Sequence, residues 1–209
     1  MALAITVLIV FLLLLINEVW WRRSRAQTEV NRKFVHITVG TFVAFWPFFL
    51  SWQDIRILSI AFVLVVALSK YLHVFRAIHS VQRPTWGEVC FGLAVGLITL
   101  VTDNKWIYMT ALLQMSLADG LAAIVGTRYG AAHRYRIAGQ SKSLAGTLTF
   151  VIVSLLSFIA FMYLNGTYIQ PIAIVAMALG GALIENLGIY GIDNLLVPLF
   201  VAVALGLII

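Results

Sequence analysis

Five stretches of this chain carry nearly all the side chains that could do chemistry. The first is M-S-L-A-D-G-L-A-A-I-V-G, inside the apolar run from Trp106 to Gly126. It holds Asp119, an ionisable residue in a segment apolar enough to lie in a bilayer, where such a residue is costly and is a functional candidate by default. Asp119, Ala122, Ala123 and Gly126 follow the i, i+3, i+4, i+7 rule and share one helix face. Small except for its one acid, that face admits close approach of a neighbouring helix or of a ligand. The plainer reading is a hydrogen bond from Asp119 to an adjacent helix.

The second stretch is E-V-N-R-K-F-V-H, Glu29 to His36. Arg32 and His36 are four apart and Lys33 and His36 three apart, so the three can share a helix face. Three nitrogen-bearing side chains at a membrane-entry point suit an anionic headgroup or a phosphate chain. Snorkelling onto lipid phosphates is the alternative. In the third, R-P-T-W-G-E-V-C-F-G-L-A-V-G, Pro84 favours a helix start just beyond it. Glu88, Gly92 and Gly96 then stack at i, i+4, i+8, an acid one turn from a close-packing Gly-x-x-x-Gly face, unless Glu88 simply marks the wet interface.

The fourth stretch follows the Asp119 helix: G-T-R-Y-G-A-A-H-R-Y-R-I-A-G-Q-S-K-S-L-A-G-T. It is a basic, glycine-bearing loop containing Arg128 and ending in S-K-S-x-x-G. Lys142 offers a point charge, and backbone amides near Gly139, Ser143 and Gly146 at a helix start can hold an anion. The spacing is not that of a Walker A loop, and a solvated basic loop is the rival reading. The fifth, G-G-A-L-I-E-N-L-G-I-Y-G-I-D-N-L-L-V-P, sets Glu185 one turn from Gly181 and places Asp193 and Asn194 where they could cap the last helix.

Small faces pack together, so Glu88, Asp119 and Glu185 can converge, with Asp193 as a further carboxylate. Hard oxygen ligands beside a basic loop are what a magnesium–nucleotide site needs. Asp119 would lie about 10 Å inside its span from Gly126, at roughly 1.5 Å per residue. At that depth a lipid hydroxyl can meet a cytosolic nucleotide.

The elements that must position these groups are membrane spans. The 209 residues are 62% hydrophobic and 11% charged, with mean hydropathy +1.02, whereas soluble domains carry about a quarter charged residues. Hydropathy gives eight segments, near 2–21, 34–50, 55–73, 87–101, 106–126, 144–164, 170–186 and 194–209. The expected fold is an all-α integral membrane bundle of about eight spans, a single domain over 1–209. Seven spans with a re-entrant C-terminal piece are the variant.

The N-terminal run lacks a basic leader and is expected to be a retained span, not a signal peptide. The single cysteine, Cys90, excludes an internal disulfide, and the scattered His36, His73, His79 and His133 give no metal motif. The net charge of +6 needs no nucleic acid to explain it, because the basic residues sit between spans. Loops after spans one, three and five hold Arg22, Arg23, Arg25, Arg32, Lys33, Lys70, Arg76, Arg83, Arg128, Arg134, Arg136 and Lys142. Those after spans two and four hold Arg56 and Lys105. Twelve against two puts the odd loops in the cytoplasm and both termini outside. The candidate carboxylates Glu88, Asp119, Glu185 and Asp193 fall towards the same side. That one-sidedness argues for a cytoplasm-facing membrane enzyme over a carrier, whose polar site would sit near the midplane between repeats.

In order, these residues resemble the CTP-dependent lipid kinase family: dolichol and polyprenol kinase, phytol kinase and the fungal type of diacylglycerol kinase. The series is R-K-x-x-H at the second span, G-E-x-x-F-x-x-G at the fourth and D-x-x-A-x-x-x-G on the fifth. The K-S-x-x-G loop and E-N…D-N-L-x-x-P follow. The resemblance covers most of the chain. It implies a multispan enzyme that moves the γ-phosphoryl of CTP onto a membrane alcohol, an isoprenoid alcohol or diacylglycerol, with a divalent metal.

Asp119 would bind that metal or take the hydroxyl proton, and Glu88, Glu185 and Asp193 would be further ligands. Lys142, Arg32, Lys33, His36, Ser143, Gly146 and Arg128 would hold phosphates. One position departs: the acid usual in K-S-x-E-G is Ala145. A CTP-phosphatidate cytidylyltransferase is the neighbouring alternative, but its C-terminal H-G-G-x-x-D-R type signature is missing. A carrier or scaffold is the non-enzymatic one. Gly92 and Gly96 could pack within one chain or between two copies. The lack of a transit peptide or retrieval signal points to a prokaryotic cell membrane.

Overall fold

The computed structural model describes residues 1–23, 28–72 and 85–209. Arg25, His73, Arg76, His79, Arg83 and Pro84 lie outside the described residues, as do the side chains of Arg22, Arg23, Glu29 and Lys70.

Among the described residues, eight helical rods follow one another. They are α1 (Ala2–Arg23), α2 (Thr28–Ala44), α3 (Trp52–Leu72), α4 (Gly87–Val101), the rod made of α5 (Lys105–Leu113) and α6 (Asp119–Tyr129), α7 (Leu144–Asn165), α8 (Pro171–Leu187) and α9 (Asp193–Ile208). Local chemistry sets their ends. Pro47 sits in a 3-10 turn, Trp46–Phe48, that stops α2. The Asn104 side chain accepts from the amides of Trp106 and Ile107 and so caps α5. Gly166 ends α7 at a φ of 68°, a conformation that glycine enters at no steric cost. Pro171 opens α8, where its missing N–H costs nothing.

Three details differ from the sequence expectations. The second rod spans Thr28–Ala44, against the expected 34–50, and Arg32, Lys33 and His36 lie on it as their helical spacing requires. The basic loop is not irregular: β1 (Arg134–Ile137) and β2 (Gln140–Ser143) pair antiparallel, Arg134 opposite Ser143 and Ile137 opposite Gln140. The turn uses Ala138 and Gly139, both at positive φ. An otherwise helical chain thus carries one hairpin among its described residues. Finally, Asp193 and Asn194 do not cap α9, whose N-cap is Ile192 without a side-chain bond. Asn194 instead donates from Nδ2 to the Gly87 carbonyl at 3.0 Å, tying α9 to α4.

The α5–α6 rod runs through the middle. Tyr108, Leu112 and Met115 are fully buried there, in one hydrophobic core with residues of α2, α4, α7, α8 and α9. Between α5 and α6 the backbone widens into a π turn, Gln114–Ala118. Gln114 and Ser154 exchange hydrogen bonds across the α7 contact: Ser154 Oγ donates to Gln114 Oε1 at 2.6 Å, and Gln114 Nε2 to the Ser154 carbonyl at 3.3 Å. Polar groups this deep must be paired, and these pair with one another.

The outer faces are apolar as well. Phe11, Leu64, Leu156, Ile172 and Leu207 stand more than half exposed. Helices hydrophobic all round belong inside a core or a membrane. Lys105–Tyr129 and Leu144–Asn165 are long and apolar enough to cross one, and Gly87–Val101, Pro171–Leu187 and Asp193–Ile208 are shorter apolar helices.

The Gly92–Gly96 face is used within the chain. A Cβ on Gly92 would collide with Phe62 and Val63 of α3, and one on Gly96 with Ser59. Ser59 Oγ donates to the Gly92 carbonyl at 2.8 Å.

Candidate active site

The starts of α2, α4, α7 and α9 and the ends of α6 and α8 meet at one end of the bundle. Backbone bonds such as Trp86 N–H to the Tyr190 carbonyl (2.8 Å) lace it together. Asp119 lies one helical stage inside this end, at the first residue after the π turn, and is buried. Lys33 reaches it from α2: Nζ donates to Asp119 Oδ2 at 2.5 Å, with the two side chains 7% and 6% exposed. His36, one turn further along α2, places Nε2 3.6 Å from the same oxygen. Its Nε2–H donates to the Met115 carbonyl at 2.9 Å, which assigns the proton to that nitrogen.

The π turn explains why that carbonyl is available. Asp119 N–H bonds back to Gln114, so the regular i→i−4 ladder is interrupted around Met115. Such turns recur at functional sites for this reason. Taking two opposite charges out of water costs several kcal/mol per ion, and only close, hydrogen-bonded geometry recovers it. Asp119, Lys33 and His36 have that geometry.

The hairpin supplies the second pair. Lys142 on β2 donates from Nζ to Glu185 Oε1 at 2.5 Å and to the Glu185 carbonyl at 3.1 Å. Tyr135 on β1 donates to Asn186 Oδ1 at 2.7 Å and touches Thr147 Oγ1 at 2.5 Å, while Gln140 donates to the Gly188 carbonyl at 2.6 Å. Three side chains thus pin the hairpin over the end of α8. Burial of Lys142 by itself would lower its pKa. The charge and hydrogen bond of Glu185, with Asp119 and Asp193 behind, outweigh that and hold it above the ordinary lysine value.

The pairs form one electrostatic cluster. The charge of Lys142 acts on Asp119, that of Lys33 on Glu185, and Asp193 feels all four. Asp119, Glu185 and Asp193 are therefore brought together with Lys33, Lys142 and His36, and Arg32 lies close enough to act on His36. Among the described residues, no three His, Cys, Asp or Glu side chains form a ready metal cage. The carboxylates are nonetheless the hard donors that magnesium takes, one or two at a time, alongside nucleotide phosphates.

Other expected residues stand apart or are otherwise engaged. Arg128 is exposed beside Tyr129, its Cζ 5.5 Å from the ring centre. Glu88 occupies the first turn of α4 at the same end of the bundle. Ser143 and Gly146 serve the fold: the Gly146 amide donates to Ser143 Oγ, which caps α7. A Cβ on Gly146 would come within 2.9 Å of the Ala122 carbonyl, so Gly146 and the Ala122–Gly126 face let α6 and α7 cross closely. Ala145 is in the first turn of α7.

Sequence reasoning missed Met115, Tyr135, Gln140 and Asn186. Only Asn186, beside Glu185 in E-N, carried a signal.

An apolar-sided bundle with a charged cluster buried at one end is the construction of a membrane protein with a polar site. A phytol kinase from Synechocystis sp. (strain ATCC 27184 / PCC 6803 / Kazusa) is 34% identical over 185 residues, 85% of this chain and 78% of the relative. The chain belongs to the phytol kinase family, the lipid kinases its ordered motifs resemble. No family model matches it, and no solved structure does.

Proposed function

We propose that this protein is a membrane kinase that transfers the γ-phosphoryl of CTP to an isoprenoid alcohol such as phytol, at the cytoplasmic face. The observation that carries the reading is the buried Lys33–Asp119 pair with His36 against it, beside the Lys142–Glu185 pair. The likeness to a phytol kinase supports the class of acceptor.

Phosphoryl transfer asks a protein mainly for positioning and charge neutralisation. Lys33 and Lys142, each held on a carboxylate, are donors that can turn to nucleotide phosphates. When Lys33 does so, the Asp119 carboxylate is released as an acceptor. The alcohol oxygen then bonds to the γ-phosphorus, the bond from that phosphorus to the β,γ-bridging oxygen breaks, CDP leaves and the hydroxyl proton passes to Asp119. His36, anchored on Met115, keeps its ring beside that carboxylate and orients the alcohol. A magnesium ion, when bound, neutralises phosphate charge, and Glu185 and Asp193, with Asp119 near them, are the residues that would hold it. The eight rods cross the bilayer in this reading, with the hairpin end in the cytoplasm and both termini outside.

Product analysis separates this reading from a cytidylyltransferase. With magnesium and phytol, γ-label should enter the lipid and CDP should be released. With phosphatidate, α-label in the lipid and free pyrophosphate would establish the transferase instead.

A further inference from the structure

Resting on the bilayer crossing in the proposed function, and not on its chemistry, we infer that the outer face of the β1–β2 hairpin docks onto anionic lipid headgroups. The hairpin is two-faced because successive strand residues point to opposite sides. Tyr135 and Ile137 lie opposite Lys142 and Gln140, and from this set Tyr135, Gln140 and Lys142 bond to the end of α8. Arg134 and Arg136 lie opposite Ser143 and Ser141 on the other face, and both arginines are exposed.

The charge on that face is uncompensated. From Gly120 to Ile184 the chain has no acid, and its lysines and arginines there are Arg128, Arg134, Arg136 and Lys142. Lys142 is held on Glu185. The three arginines form no ion pair among the described residues. Ser143 packs against Gly130, just past the end of α6, so the face runs on to the exposed Arg128 and Tyr129. Topology asks only that this loop be basic. It does not ask that the paired lysine face inward and the unpaired arginines outward.

Continuity with the lipid-facing surface identifies the occupant. Leu144 follows β2 directly, and Leu144, Leu148, Ile152 and Ile159 recur at i, i+4, i+8, i+15 on one half-exposed stripe of α7. Arg134, opposite Ser143, is level with the start of that stripe. Arg136, two residues on, is at most about 7 Å further, at roughly 3.3 Å per residue. The headgroup layer is about 5–7 Å deep on each side of a bilayer. Both guanidinium groups therefore fall at phosphate level, where arginine can engage two phosphate oxygens at once. Tyr129, 67% exposed, is an aromatic ring of the kind that settles at the same level. Headgroups on one face and α8 on the other then hold the hairpin, and with it Lys142, from both sides.

The test uses the full chain with Cys90→Ser and a fluorophore on Ser141→Cys, an exposed position opposite Arg136, in phosphatidylcholine vesicles. Equal small shares of phosphatidylglycerol or phosphatidylcholine, each with a nitroxide near the headgroup, are added as quenchers. Phosphatidylglycerol should associate about 25-fold more tightly, at about fivefold for each of two arginines beside an anionic lipid. Arg134→Gln/Arg136→Gln should bring the ratio close to one, and so should salt near about 1 M, where the screening length is about 3 Å. Equal quenching by the two lipids, or a preference that survives in the double variant, would overturn the proposal. So would a fluorophore that neither lipid quenches, which would place this face in water and open to a soluble acidic partner.

Amide exchange supplies a readout that needs no added cysteine. Exchange at 134–143 should slow several-fold when phosphatidylglycerol is present, and stay unchanged in Arg134→Gln/Arg136→Gln, whose melt in phosphatidylcholine should match the wild type. Exchange that is not slowed, or is slowed equally in the double variant, would overturn the docking surface even if phytol is phosphorylated. Slowed exchange without phosphorylation of any alcohol would end the kinase reading and leave the surface standing. Release of the chain from vesicles by alkaline carbonate would remove the bilayer crossing and the proposal with it.

Discussion

Asp119→Asn should damage this protein twice, and the two injuries can be separated. The carboxylate and the Lys33 ammonium are 2.5 Å apart, with side chains only 7% and 6% exposed. Removing one charge of such a pair strands the other, at a cost of about 3–5 kcal/mol. Neutralising both, as in Lys33→Met/Asp119→Leu, leaves no buried charge and should recover most of that loss, because apolar replacements of buried pairs are often neutral or better. Activity should behave differently. If Asp119 takes the hydroxyl proton, turnover falls by about 10²–10⁴-fold in Asp119→Asn, and the double variant stays inactive although its stability returns. The assay is a denaturant or thermal melt in one detergent, paired with label transfer on the same preparations. Full stability with near wild-type turnover in Asp119→Asn would refute the reasoning. So would a double variant that regains turnover together with stability, since Asp119 would then matter only as the neighbour of Lys33.

Ser143→Ala should cost about 1 kcal/mol through loss of the α7 cap, and Gly146→Val about 1–3 kcal/mol by forcing α6 and α7 apart. Melting curves report both, and the KM for nucleotide should stay put; a KM that rises without a stability change would return these residues to phosphate binding. Lys142→Met should free the hairpin, seen as faster proteolysis between Arg134 and Gln140 and a raised nucleotide KM. Because the folded-state pKa of Lys142 lies above its ordinary value, the contribution of its pairing is complete below about 10.4, the usual lysine figure, and fades as pH climbs through the raised value. Hairpin protection should thus be flat from neutral pH to about 10 and fall beyond it, and the alkaline fall should vanish in Lys142→Met. For topology, cysteines placed at the exposed Ala132 and Gln53 in a Cys90→Ser background should react with an impermeant maleimide from opposite sides of the membrane; reaction from the same side would contradict the arrangement.

The rods were legible in the sequence because each is an apolar run bounded by charge, proline or glycine. Gly87–Val101 matches the expected 87–101 at both ends. The start of α2 was not, because Thr28–Lys33 is polar and hydropathy sees only its apolar continuation. The hairpin was missed for a similar reason: R-Y-R-I and Q-S-K-S are too polar to read as strands, and what holds them is docking through Tyr135, Gln140 and Lys142 onto α8.

Asp119, Lys33, His36, Lys142 and Glu185 stood out because charge in an apolar chain is conspicuous. Which base meets which acid was not readable, since Lys33 and Asp119 are 86 positions apart. Nor was the π turn, a backbone event with no residue signature. For Ser143 and Gly146 the spacing suits an anion site, and what it does not show is their role in the fold: Ser143 Oγ accepts from the Gly146 amide, and Gly146 packs against Ala122 and Gly126.

The most direct measurement of the central claim is transfer of γ-label from CTP, and separately from ATP, to phytol by the purified protein in detergent with magnesium. The account predicts labelled lipid with CTP from the wild-type protein and none from Asp119→Asn. Label in neither phytol nor any other long-chain alcohol, from a preparation that melts as a folded protein, would contradict it.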